Sequence, residues 1–259
     1  MIAVLKRRYS KASTGQNPRG ARLWLFDLDN TLHDASWRLM AEINRRMTLY
    51  MQARLDLNQA EASALRARYW KRYGATLLGL VAHHGVDAAD FLQKTHPVET
   101  LDELFLPNPG LARRLAKLKG ERWLVTNAPR SYAQEVVKRL GLQHFFHAAI
   151  YIDDMQIHGR LRPKPSRLLW ARIRHRSRLV GGQTSPLGRQ RFFVDDSDGN
   201  LRSAYRQGLQ TIRFNGSDSH ARLGWRLGRP FSARRPSFVL HQVNSWSTLV
   251  RRIGRPQSL

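Results

Sequence analysis

Asp27 and Asp29 stand one residue apart in Phe26-Asp27-Leu28-Asp29-Asn30-Thr31, directly behind the apolar run Leu23-Trp24-Leu25-Phe26. Holding two like charges beside buried apolar residues is costly, so the pair calls for a compensating charge. Three further clusters follow apolar runs in the same way: Thr126 and Asn127 in VTNA, Lys164 between Pro163 and Pro165, and Asp195 with Asp196 in VDDS. Four carboxylates in one water-poor site need a cation. A hard divalent ion suits oxygen ligands, and Mg2+ is expected because it takes few carboxylates and keeps several waters. A lysine with hydroxyl and amide donors adds the means to hold a phosphoryl group. The chemistry these residue types assemble is phosphoryl transfer, with a carboxylate nucleophile able to form an aspartyl phosphate. Each cluster is weak alone: an Asp-Asp pair after a strand is often a turn or a cap, and Lys164 reads as an ordinary loop lysine. Their joint order, each at the end of an apolar run, carries the inference.

Those runs identify the elements that must position the clusters. Segments 22–31, 122–129, 148–154, 191–200 and 209–216 are short, nearly continuous apolar stretches that stop at polar residues, as strands buried on both faces do. Helical patterns separate them. One starts at a capping Ser131 and ends at Gly141; one places Leu168, Leu169 and Ile173 at helical spacing; one runs through DGNLRSAYRQG. Alternating strands and helices predict an α/β fold, a doubly wound parallel sheet with ligands at the carboxyl ends of its strands. Residues 36–106 read differently, as an all-helical insertion interrupted at YGATLLGLVAHHG, with Trp37, Met40, Ile43, Met47, Tyr50 and Met51 as core positions of a cap. The organisation is therefore a basic tail over 1–20, expected to be disordered, and a core formed by 21–35 and 107–259. The cap lies over 36–106 and a basic loop-like insertion over 217–236. Near the C-terminus, FVL and then NSWSTLVRRI suggest a last strand and helix.

With 42% hydrophobic residues in 259, the chain can build a substantial core. It has no cysteine, which excludes disulfides, thiolate zinc sites and cysteine nucleophiles. No apolar run is long enough to span a bilayer and no secretory leader is visible, so a cytoplasmic location is expected. Arginine dominates: 36 Arg and 8 Lys against 19 acidic residues give a net charge of +25. Such a charge attracts anions of any kind, nucleic acid included. No zinc finger, RNA-recognition signature or basic zipper accompanies it, so charge alone does not name nucleic acid as a partner.

The motifs DLDNT (27–31), VTNA (125–128), KPS (164–166) and VDDS (194–197) resemble those of the haloacid dehalogenase superfamily of phosphohydrolases, over roughly residues 22–215. The helical block resembles that family's type 1 cap. DLDNTLHDAS, YWKRYGATLLGLVAHHGVD, VTNAPRSYAQEVVKRLGL and FVDDSDGNLRSAYRQGLQTI look like the pyrimidine 5′-nucleotidase branch, where a tyrosine, Tyr-Gly and Leu-Gly-Leu mark the cap; here these are Tyr69, Tyr73-Gly74 and Leu78-Gly79-Leu80. The resemblance implies that Asp27 attacks phosphorus and that Asp29 protonates the leaving oxygen, then deprotonates the attacking water. It implies phosphate contacts from Thr126, Asn127 and Lys164, with Lys164 neutralising charge on the nucleophile. Metal ligation falls to Asp27, the Asp29 backbone carbonyl, Asp196 and, directly or through water, Asp195. Tyr69 and Tyr73 become substrate contacts from the cap, whereas His33 matches no role.

The expected activity is a Mg2+-dependent phosphomonoesterase acting on a nucleoside 5′-monophosphate such as UMP or CMP. Alternatives are a phosphatase or phosphomutase for another small phosphoester, such as a sugar phosphate or flavin mononucleotide, or a basic nucleic-acid-binding protein without catalysis. Segments 176–190 and 219–235 look like additions to the family core, and no membrane association or oligomeric state is read from the sequence.

Overall fold

Apolar side chains on both faces of consecutive short strands force those strands into the middle of a layered structure, and the computed structural model shows that arrangement. It describes residues 22–35, 38–106, 108–180, 190–215 and 235–253. The tail 1–20 lies wholly, and segments 176–190 and 217–236 mostly, outside these residues. The strands are β1 (Arg22–Phe26), β2 (Glu121–Val125), β3 (Ala148–Ile150), β4 (Gln156–Ile157), β5 (Arg160–Leu161), β6 (Gln190–Asp195), β7 (Gln210–Phe214) and β8 (His241–Val243). Six of them form one parallel sheet in the order β3-β2-β1-β6-β7-β8, while β4 and β5 pair as a small hairpin. Strand order reverses around β1, so the crevice at its carboxyl end, between β2 and β6, is where a ligand site belongs.

Helices cover both faces. On one side lie α6 (Leu111–Leu115), α7 (Arg130–Arg139) and α10 (Trp246–Ile253), packed through Leu111, Leu115, Tyr132, Val136, Leu249 and Ile253 onto Trp24, Phe26 and Phe192. On the other lie α8 (Arg167–Val180) and α9 (Asp198–Tyr205), whose Leu169, Trp170, Ile173, Leu201 and Ala204 meet Leu23, Leu25, Trp123 and Phe193. Alternation along β1 sends Leu23 and Leu25 to one core and Trp24 and Phe26 to the other. Each of these buried side chains contributes roughly 2–3 kcal/mol of apolar transfer energy.

Between β1 and β2 the chain forms the inserted helical cap: α1 (Leu39–Leu55), α2 (Gln59–Tyr73), α3 (Thr76–His84), α4 (Ala88–Thr95) and α5 (Leu101–Leu104). Met51, Leu65, Tyr69, Leu77, Leu80, Phe91 and Leu92 make its separate core. Ile43, near the other end of α1, is buried with the sheet's core instead, so this helix joins the two bodies. Tyr50 and Met47 pack against the cap core, Met40 packs against the sheet's core, and Trp37 lies outside the described residues.

Several local expectations are revised. The helix after VTNA starts at Arg130 with Pro129 at its N-cap, so Ser131 lies inside the first turn and caps nothing. Leu168 faces solvent at 45% exposure, and Trp170 takes its place in the core. The stretch read as an interruption is mostly α3; only Gly74-Ala75 breaks the helical path. Gly79 permits this, because a Cβ there would stand 2.2 Å from the Tyr69 ring. The last strand is His241–Val243 rather than FVL, because Phe238 and Val239 are buried with the α8–α9 core instead of extending the sheet ladder.

Candidate active site

Parallel pairing brings three strand ends to one edge. The Asp27 amide donates to the Val194 carbonyl at 3.0 Å, continuing the β1–β6 ladder by one residue, and Thr126 does the same to Ile150 at 3.0 Å beside β2. Asp195 is the last residue of β6 and is fully buried. The crossover from β5 to α8 then delivers Lys164, 1% exposed, into the space between them. Its Nζ donates to Asp27 Oδ1 at 2.6 Å and to Asp195 Oδ2 at 2.9 Å. Asn127 holds that lysine by its main chain: its Nδ2 donates to the Lys164 carbonyl and its Oδ1 accepts from the Lys164 amide, both at 2.9 Å. Both ends of the Asn127 amide are thus engaged inside the protein. The Thr126 hydroxyl oxygen accepts from the Ala128 amide at 3.0 Å, which leaves its proton to donate.

Asp195 is tied down on both oxygens. Oδ1 accepts from the Ser197 amide at 2.7 Å, Asn200 Nδ2 reaches both oxygens at 3.1 Å, and Lys164 takes Oδ2. One carboxylate oxygen each from Asp27, Asp195 and Asp196 come within 4.8 Å of one another. Electrostatics register the crowding. Burial pushes the Asp27 carboxyl up to about 7; Lys164 pulls it down, while Asp195 and then Asp29 push it further up. Burial, followed by the fields of Asp195 and Asp27, raises Asp196 well above the carboxylate range. Burial disfavours the charge on Lys164, but Asp195 and Asp27 outweigh it and hold the ammonium above its ordinary value. One fixed cation therefore does not neutralise the three acids. An all-oxygen donor set still short of positive charge fits a hard divalent cation such as Mg2+.

Asp29 is set apart from this cluster. Its Oδ1 accepts from His33 Nε2 at 2.7 Å and from the Tyr132 hydroxyl at 2.8 Å. Burial opposes its charge, but the His33 hydrogen bond and field, with the Tyr132 hydrogen bond and His96, hold its carboxyl below the usual range. Asn30, at φ 59°, turns the chain just after Asp29, and His33 comes back to meet that carboxylate. Sequence reasoning assigned His33 nothing and passed over Tyr132. The only available signal was Tyr132 on the apolar face of its helix, since a buried tyrosine hydroxyl needs a partner.

In the cap, Tyr69 is hydrogen-bonded to His84 Nε2 at 2.7 Å and Tyr73 to His83 Nε2 at 2.5 Å, with the Tyr69 and His83 rings stacked 5.6 Å apart. Gly74 closes α2 in the left-handed region at φ +79°, and a Cβ there would lie 3.0 Å from Pro165 Cδ. The end of α2 that carries Tyr73 thus abuts the residue next to Lys164.

Comparison with known proteins agrees with this geometry. Phosphate metabolism protein 8 of Saccharomyces cerevisiae is 26% identical over 199 residues, covering 73% of this chain and 60% of the yeast protein. A phosphoglycolate phosphatase of Pseudomonas putida is 27% identical over 243 residues, covering 86% of this chain and 78% of its own. In fold, the chain is similar to a HAD phosphatase from Thermococcus onnurineus (TM-score 0.53, 17% identity, 89% of this chain and 96% of that one). It is equally similar to a HAD hydrolase from Bacillus subtilis solved with magnesium (TM-score 0.53, 14% identity, 90% and 98%). The family model of haloacid dehalogenase-like hydrolases matches residues 21–197, from β1 through the second acidic pair, and the chain belongs to that family.

Proposed function

We propose that the protein is a Mg2+-dependent phosphomonoesterase for a small phosphoester and that Asp27 is its nucleophile. The observation that supports this most is Lys164 bridging Asp27 and Asp195 at 2.6 and 2.9 Å beside Asp196. Asp27, Asp195 and Asp196 would hold the cation, together with the Asp29 carbonyl. When bound, the metal supplies charge neutralisation for the phosphoryl group and keeps Asp27 ionised. Lys164 fixes the attacking oxygen and offsets its charge, and Asn127 keeps Lys164 in place. The Thr126 hydroxyl, with its proton free, is positioned to donate to a phosphoryl oxygen. Asp27 attacks phosphorus and the leaving oxygen departs with a proton from Asp29. In the second step Asp29 takes a proton from water, which attacks the aspartyl phosphate and releases orthophosphate and free Asp27. The free site holds Asp29 ionised; a phosphate dianion beside it raises its pKa by like-charge repulsion, as its role as acid requires.

For the substrate, phosphoglycolate phosphatases are among the relatives, two of them matched over 78% and 77% of their length, which favours a small phosphorylated metabolite. A nucleoside monophosphate is the second reading, and a separate observation favours it: the half-buried Tyr73 and exposed His83 rings, packed on the buried Tyr69, form an aromatic surface near the Gly74–Pro165 contact, where a base can stack. A phosphatase screen with and without Mg2+ over phosphoglycolate, sugar phosphates, flavin mononucleotide, UMP and CMP separates them. Turnover confined to UMP and CMP selects the nucleotide reading, turnover of the others without them removes it, and no turnover in Mg2+ contradicts both.

A further inference from the structure

The charge of this chain is segregated. Residues 39–104, which carry the cap helices, hold eight Lys and Arg and eight Asp and Glu. Residues 155–259 hold 21 Lys and Arg against four acids. Of those four, Asp195 and Asp196 belong to the acidic cluster, Asp198 is engaged by Arg213, and Asp218 lies outside the described residues. The cap that would admit a small anion is thus neutral, and the cationic excess lies elsewhere.

One place it gathers is the outer side of α8 and α9. Helix α8 contains five arginines and His175 and no acid. None of the ion pairs among the described residues involves Arg167, Arg172, Arg174, Arg176, Arg202 or Arg206. Other helices differ: Arg45 and Arg46 close on Glu42, and Arg139 on Glu135 and Asp102. Several of the uncompensated guanidiniums are held in place. Arg172 donates to the Gln156 carbonyl at 2.8 Å, and Arg202 sits 4.9 Å over the Phe238 ring. Between Arg202 and Arg206, the Tyr205 ring is 52% exposed.

We infer that the α8–α9 face binds the phosphate backbone of a single-stranded nucleic acid, with Tyr205 stacking on a base, as a function separate from catalysis. Charge complementarity is the first argument, because a set of arginines on two neighbouring helices that pair with no acid matches a polyanion. The second is residue type: arginine forks pair with phosphate oxygens, and an aromatic ring flanked by them is a stacking platform. A membrane surface fits less well. A helix lying on lipid needs a free apolar face, whereas α8 buries Leu169, Trp170 and Ile173 against the sheet and exposes Leu168 alone among its large aliphatic residues of known exposure.

The test is anisotropy titration of a labelled oligouridine with the full chain at several salt concentrations, with phosphatidylserine vesicles as the rival probe. Four phosphate contacts predict a slope of log affinity on log salt near about −3. Replacing Arg172, Arg174, Arg202 and Arg206 together by Gln should lower affinity at least ~10-fold and remove most of that slope. Tyr205→Ala should weaken binding roughly 5-fold or more and leave the slope unchanged. Phosphatase turnover should survive in both variants, which also reports that they fold. Neutralising Arg113, Arg114, Lys117 and Lys119 on the opposite face should leave binding intact. Absence of oligouridine binding, equal sensitivity to the two charge sets, or binding to the vesicles alone would overturn the inference. Should the fourfold variant not fold, Tyr205→Ala decides.

Discussion

Asp27 and Asp29 have different neighbours although a single residue separates them, and the roles proposed for them differ accordingly. Burial, against the pull of Lys164 and with the push of Asp195, raises the Asp27 carboxyl to about 7. A proton therefore competes with the cation for that oxygen. Because the Asp196 carboxyl is raised as well, Mg2+ affinity measured calorimetrically should fall by about tenfold or more per pH unit below roughly pH 7, and Asp27→Asn should make that dependence shallower. A pH-independent affinity in the wild type would contradict the assignment. Asp29 has two donors on one oxygen, which leaves the other for the leaving group. Tyr132→Phe and His33→Gln should lower kcat/KM for an alkyl phosphate by about 10- to 100-fold while changing it little for p-nitrophenyl phosphate, whose leaving group needs no proton. Asp29→Asn is the reference: if it shows the leaving-group dependence and the other two do not, His33 and Tyr132 only pack. The strand-end acids and Lys164 were legible as types at the ends of apolar runs. His33 and Tyr132 were not, because the residue that gives them meaning lies 4 and 103 positions away and only the fold joins them.

Among the elements, the seam between cap and core is where local sequence says least. Gly74 against Pro165 is one contact across it. His96, at the end of α4, is another, its ring set edge-on to Tyr132 at 5.5 Å. Burial lowers the His96 pKa from 6.5 to about 4, against the opposing pull of Asp29. The unfolded chain therefore binds a proton between those values that the folded chain refuses. The resulting stability is present above about pH 6.5 and is lost as pH falls through 4. Denaturant unfolding of wild type and His96→Gln should give a stability difference that is constant above pH 6.5 and shrinks below it. A difference that does not change with pH would show that His96 is not held neutral. Strands and the larger helices were legible because buried runs and 3.6-residue periodicity are local. The start of α7, the continuity of α3 and the position of β8 were not, because a proline cap, a glycine fitted under a tyrosine ring and side chains claimed by the opposite core decided them.

At the scale of the molecule, a six-stranded parallel sheet gathers acids from β1 and β6, a threonine from β2 and a lysine from the crossover, and the cap closes against that edge. Removing Mg2+ with a chelator should abolish turnover and restore it on re-addition, and activity that persists in chelator would exclude the metal from the chemistry. No helix among the described residues is long and apolar enough to cross a membrane. The doubly wound architecture was legible because alternation of strands and helices constrains topology. The leaving group was not, because the strand-end residues are types that suit the phosphoryl group of any ester, and only the fold brings the cap beside them. In the proposed reaction Asp27 carries the phosphoryl group between substrate and water. Acid quench of the enzyme during turnover, followed by peptide mass spectrometry, should find a phosphoryl adduct on Asp27. That adduct should be absent from Asp27→Asn, which should also lose at least ~1000-fold in kcat. An adduct on another residue, or normal turnover by Asp27→Asn, would contradict that role for Asp27.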